Sequence, residues 1–127
     1  MSAGSDMRIG IDLVRISAIS ESLDRFGERF LHRVFTEAEV SYAMSAPLLA
    51  ASRLAARFAA KEATRKALRL DGIGWRDIEV VRQPDGACEI ELHGVARAMG
   101  GIGRLALSMS HEGDHATAVV IADRNSQ

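Results

Sequence analysis

The sequence predicts a single α+β domain, a mainly antiparallel sheet packed on one side by helices, one of them long. Three observations predict it. Residues 7–14 alternate with a period of two. Residues 47–70 form an alanine- and leucine-rich run too long for a strand. Beyond residue 76, four short β-patterned segments are separated by turn signals.

In the first strand Ile9, Ile11 and Leu13 share one face, and Arg8, Gly10, Asp12 and Val14 share the other. A helix over 17–31 is amphipathic through Ile19, Leu23, Phe26 and Phe30. Thr36 and Glu39 have the spacing of a capping box, which opens a short helix to residue 45. Pro47 suits the first turn of the long helix, which reaches residue 70. Asp71-Gly72-Ile73-Gly74 is a turn. Segments 77–82 and 88–92 read as a hairpin across Pro84-Asp85-Gly86. Residues 94–99 form a short helix or turn, broken by Gly100-Gly101-Ile102-Gly103. Two last strands, 105–110 and 115–122, join around Glu112-Gly113-Asp114.

The 127 residues make one domain, able to bury roughly two-thirds of its unfolded surface. Residues 1–6 read as a flexible polar extension with no apolar stretch of a signal peptide. A net charge of −1 gives no general field toward nucleic acid or membrane. No apolar run approaches a membrane span. Cys88 is the lone cysteine, so no disulfide forms within the chain, which suits the reducing cytoplasm.

The most informative stretch is Arg57-Phe58-Ala59-Ala60-Lys61-Glu62-Ala63, followed by Lys66. On a helical projection Glu62 falls between Phe58 and Ala55, in the apolar sector, where a carboxylate needs a cation, a metal or donors. Lys66 stands at the i,i+4 spacing that lets the two side chains meet. A plain helical salt bridge is the alternative reading. Asp12 is a second acid in an apolar setting, on the first strand; it either ends that strand or joins Glu62 in an oxygen-rich site. Two carboxylates, water and substrate phosphates are what Mg²⁺ accepts. Arg53, Arg57 and Lys61 step along the helix at i,i+4, as a solvated basic face also would.

Gly10-Ile11-Asp12-Leu13-Val14, the stretch from Arg57 to Ala63 with Lys66-Ala67, and Ser108-Met109-Ser110-His111 resemble the three motifs of holo-[acyl-carrier-protein] synthases, the small 4′-phosphopantetheinyl transferases. Order and chain length match, and the resemblance covers about residues 7–123. It implies a compact α/β unit that forms a homotrimer with active sites between chains. It implies transfer of 4′-phosphopantetheine from coenzyme A to a serine of an apo acyl carrier protein, with adenosine 3′,5′-bisphosphate leaving. It implies Mg²⁺, or Mn²⁺, held by Asp12 and Glu62, with Lys66 at the phosphates. A metal-bound water or Glu62 acting through water takes the serine proton, and the sequence does not choose between them. It further implies Arg57 at the 3′-phosphate with Lys61 and Arg53, and Ser110 with His111 reaching the phosphates or ribose from a neighbouring subunit. The row Arg25, Arg29, Arg33 becomes the docking surface for an acidic carrier.

Three positions depart from the family pattern. Arg15 and Ala18 stand where a Glu and an Arg are frequent. Leu68-Arg69-Leu70-Asp71-Gly72 replaces a glycine-rich turn. Gly86-Ala87-Cys88 replaces Gly-Lys/Arg-Pro. Together they point to an altered carrier preference, toward a dedicated polyketide or other secondary-pathway carrier. Two rival classes use the same residues: a non-catalytic module binding coenzyme A or a nucleotide, and a metal-dependent phosphohydrolase.

Overall fold

The structure, a computed structural model, describes residues 6–100 and 103–124. The expected extension lies outside these residues but for Asp6, and so does part of the glycine-rich break at 100–103.

The chain runs β1 (Met7–Arg15), α1 (Ile16–Phe26), α2 (Glu28–Val34), α3 (Glu37–Met44), a single 3₁₀ turn (Pro47–Leu49), α4 (Ala50–Leu68), a second 3₁₀ turn (Trp75–Asp77), β2 (Ile78–Arg82), β3 (Cys88–Leu92), α5 (Gly94–Gly100), β4 (Arg104–Glu112) and β5 (His115–Asp123). The antiparallel strands divide into a three-stranded sheet, β1-β5-β4, and a separate β2-β3 hairpin. The single helix expected over 17–31 is two helices. Gly27, at φ 57 and ψ −132, breaks it in a conformation that glycine alone adopts cheaply. The long helix starts at Ala50 rather than at Pro47, because the proline begins a tight 3₁₀ turn instead.

Helix α4 is the centre of the molecule. Its alanines pack on the three-stranded sheet on one side, and Leu54 and Ala55 join Ile19 of α1, Leu31 and Val34 of α2 and the following Phe35 on the other. Small side chains let the backbones approach closely. A Cβ on Gly10 would lie 2.0 Å from the Ala63 carbonyl oxygen and 2.8 Å from the Ala67 nitrogen. Glycine is therefore required where β1 crosses α4.

The two faces of β1 alternate as the sequence predicts. Gly10, Asp12 and Val14 turn inward, whereas Ile9, Ile11 and Leu13 are 67%, 59% and 65% exposed. An apolar sheet face is thus left uncovered in the monomer.

The expected capping box is formed. Glu39 N–H donates to Thr36 Oγ1, and Thr36 N–H donates to Glu39 Oε1 at 2.8 Å. Helix α1 is capped from outside its own sequence. Asp114, in the β4–β5 turn, accepts Ser17 N–H at 2.9 Å and Ser17 Oγ at 2.5 Å. The Ser17 hydroxyl is the main cause holding the Asp114 carboxyl below its ordinary 3.8.

Candidate active site

Because β1 lies against α4, the Asp12 carboxylate meets the lysine two turns past Arg57 rather than solvent. Lys66 Nζ donates to Asp12 Oδ1 at 3.2 Å and to the Ile11 carbonyl at 2.9 Å. The intrahelical Glu62–Lys66 pair expected from i,i+4 spacing is not made; the strand offers Lys66 better acceptors. Glu62 and Lys66 instead line one cavity of about 420 Å³, with Arg65, Arg69, Leu70, Asp71 and Trp75. Among the described residues no hydrogen bond or ion pair engages the Glu62 carboxylate.

The apolar-sector reading of Glu62 is corrected. The helix is packed on nearly every side, so alanine periodicity does not orient it. Phe58, Glu62 and Arg65 form its half-exposed edge. Trp75 closes that edge, its ring 5.2 Å from Phe58 and 4.6 Å from the Arg65 guanidinium.

A second cavity, about 380 Å³, opens beside the N-terminal half of α4. Arg53, Arg57, Arg82, Cys88, Ser110 and His111 are among the residues that line it. The structure thus gathers four sequence-predicted residues from α4 and β4 in one place. It adds two that were missed, Arg82 and Tyr42. The Tyr42 ring supports three guanidiniums, those of Arg53, Arg57 and Arg82 at 4.2, 4.6 and 5.3 Å. Only the placement of β2 and α3 beside α4 could reveal them.

Arg57 is only 4% exposed. Its Nη1 donates to the Arg53 carbonyl at 3.3 Å and its Nη2 lies 4.0 Å from Cys88 Sγ. Its Nε is buried without a partner. A buried cation with no carboxylate among the described residues is built for an incoming anion. The solvated basic face is therefore excluded at Arg57.

Lys61 lies elsewhere. It was expected at the cofactor, but it is fully buried and its ammonium pairs with Glu39 Oε1 at 2.8 Å. Burial pushes its pKa below the ordinary lysine value, and the Glu39 carboxylate opposes that fall.

The arginine row is also regrouped. Arg25 stacks on Phe26 at 5.4 Å at the end of α1, while Arg29 and Arg33 flank a groove with Phe26 and Phe30. Among the described residues no carboxylate pairs with these arginines; the nearby Glu28 meets His32 at 3.4 Å.

A family model described as the 4′-phosphopantetheinyl transferase superfamily matches residues 8–120. The chain belongs to that superfamily. Among its curated relatives, a holo-[acyl-carrier-protein] synthase of Paramagnetospirillum magneticum is 49% identical over 123 residues, covering 91% of this chain and 94% of the relative. One from Koribacter versatilis is 45% identical, covering 90% and 95%. The fold agrees with solved members of the superfamily. A "Chronobacterium ammoniagenes" synthase–coenzyme A complex superposes with a TM-score of 0.82 at 34% identity, covering 92% of this chain and 96% of the other. The Helicobacter pylori synthase in complex with coenzyme A gives 0.80 at 33%, covering 90% and 98%. Members are thus similar in sequence and fold over nearly the whole chain. No helix among the described residues is long and apolar enough to cross a membrane.

Proposed function

We propose that this chain transfers 4′-phosphopantetheine from coenzyme A to a serine of an apo acyl carrier protein and releases adenosine 3′,5′-bisphosphate. The carrying observation is the division of charge along α4. One end presents Arg57, which has no carboxylate partner among the described residues, with Arg53, Arg82 and His111. The other presents Asp12, Lys66 and Glu62, the last unpaired among the described residues. The substrate carries the groups these two sites suit, a 3′-phosphate for the arginines and a reacting diphosphate for the carboxylates and Lys66.

Asp12 and Glu62 are the residues that would hold Mg²⁺ or Mn²⁺. Both are half-buried, both offer only hard oxygen donors, and a cation already sits on Asp12 in the form of the Lys66 ammonium. When bound, the ion would neutralise diphosphate oxygens. The chain's own groups do the rest. Lys66 neutralises charge that develops on the leaving phosphate. Glu62, whose oxygens are not engaged by protein donors, accepts the serine proton through a water as the serine oxygen attacks the β-phosphorus. The bond to the nucleotide phosphate breaks, and the arginine pocket retains its anionic product.

The two cavities belong to one reaction when a second copy covers the uncovered β1 face and brings its arginine pocket to the Glu62 cavity, as in a homotrimer. The exposed ridge of Ile9, Ile11 and Leu13 supports that assembly. The carrier docks on Arg25, Arg29 and Arg33, which are exposed and have no acidic partner among the described residues. The free thiol of Cys88 fits work in the cytoplasm.

Intact mass spectrometry of an apo carrier mixed with the protein, coenzyme A and Mg²⁺ tests the reading. A carrier heavier by one phosphopantetheine supports it. Cleavage of coenzyme A with an unchanged carrier would make the chain a phosphohydrolase, and no reaction at all would leave a binding module.

A further inference from the structure

Lys61 sits next to Glu62 in sequence, yet its side chain points away from the cavity that Glu62 lines. Its ammonium has three protons and three acceptors: Glu39 Oε1, the Trp75 carbonyl at 3.1 Å and the Ile78 carbonyl. Glu39 is equally committed. Its Oε1 also accepts Thr36 N–H at 2.8 Å, and its Oε2 accepts Val80 N–H at 2.7 Å. Every member is satisfied, and the network ties α3, α4, the Trp75–Asp77 turn and β2 together.

Such a pair is a poor source of stability, because the cost of desolvating two charges offsets most of their attraction. Apolar residues of the same volume would pack the site as well. What a lysine supplies, and an apolar residue does not, is a grip on two specific carbonyls. One of them belongs to Trp75, whose ring forms a wall of the cavity that holds Glu62 and Lys66. Phe58 and Arg65 flank that ring but make no hydrogen bond to it, so the backbone clamp fixes where the wall stands.

We propose that the Glu39–Lys61 pair is a positioning device: it fixes the Trp75 turn and thereby the shape of the Glu62–Lys66 cavity. The kinetic part of this inference rests on the transferase reading; the structural part does not.

Trp75 is the chain's single tryptophan, so its fluorescence reports the clamp directly. In Lys61→Met, with folding verified by circular dichroism at the assay temperature, Trp75 emission shifts to the red and acrylamide quenching rises. KM for coenzyme A rises roughly ten-fold, the scale expected when a small displacement spoils a fitted site. Glu39→Gln keeps an amide oxygen as acceptor for Lys61 but turns its NH2 toward the Val80 N–H and removes the counter-charge, so the clamp is loosened and not lost, and emission, quenching and KM move part of the way in the same direction. If Lys61→Met does not fold, Glu39→Gln decides alone, through a smaller change of the same sign. A folded variant with emission, quenching and KM all equal to the parent's would overturn the inference. If the parent itself modifies no carrier, the transferase reading fails, and unchanged emission alone then overturns the clamp.

Discussion

Arg57→Met separates the arginine pocket's role in binding from any role in folding. The guanidinium is 4% exposed, has no carboxylate partner among the described residues, and leaves Nε without an acceptor. Its contacts with the Arg53 carbonyl and Cys88 Sγ are long, at 3.3 and 4.0 Å. Methionine fills most of the same volume without a buried charge, so the thermal midpoint should hold or rise. A hydrogen bond from a charged donor to phosphate is worth about 1.5–3 kcal/mol. That converts to a rise in KM for coenzyme A of roughly 10- to 150-fold, with kcat little changed. Initial rates with coenzyme A and with dephospho-coenzyme A, which lacks the 3′-phosphate, provide the assay. The parent should prefer coenzyme A strongly, and the variant should lose nearly all of that preference. A variant that discriminates as well as the parent would refute the assignment of Arg57 to the 3′-phosphate.

Gly10→Ala forces a Cβ to 2.0 Å from the Ala63 carbonyl oxygen and so pushes β1 off α4. Urea denaturation should show a loss of at least about 3 kcal/mol, the upper range for overpacking, or no folded protein. Asp114→Asn removes a carboxylate whose folded pKa lies below its ordinary 3.8. A depressed carboxylate stabilises the fold above its unfolded pKa and loses that contribution as pH falls through the folded one. The midpoint difference between parent and variant should therefore be largest near neutrality and shrink below about pH 4, as thermal melts across pH will show. Reversing Arg29 and Arg33 to glutamate should raise KM for an acidic carrier and weaken its salt dependence while leaving KM for coenzyme A unchanged. The departures at Arg15, Ala18 and 68–72 predict unequal rates on fatty-acid and pathway-dedicated carriers; equal rates would remove that reading.

The fold was legible where the signal is local. The alternation of β1, the capping box at Thr36 and the Pro84-Asp85-Gly86 turn all depend on neighbours within a few residues. Asp85 Oδ1 accepts Ala87 N–H at 2.9 Å, the Asx contact such a turn carries. Legibility failed where packing decides. Periodicity placed Ile9, Ile11 and Leu13 on one face but carries no information on which face a helix covers; Gly10 against Ala63 settles that. Gly27 looked like one glycine within a helical pattern, and its φ of 57 breaks the helix. Lys61 resembled a basic-face residue because i,i+4 spacing is blind to Glu39, twenty-two positions earlier on another helix. Tyr42 lies on the preceding helix and Arg82 on a strand beyond α4, and no spacing rule connects either to Arg57. Asp12 and Lys66 became joined for the same kind of reason in reverse: an alanine-lined helix and a glycine allowed two distant segments to touch.

The most direct test is Glu62→Gln, assayed for carrier modification at saturating coenzyme A over a range of Mg²⁺ concentrations. The substitution keeps volume and fold but removes one of the two charges offered to the ion and the acceptor of the serine proton. Transfer should fall by two orders of magnitude or more (roughly the scale of losing a general base), and added Mg²⁺ should restore little of it. A variant that loads the carrier at the parent rate, with the parent's Mg²⁺ dependence, would contradict the placing of ion and reaction between Asp12 and Glu62.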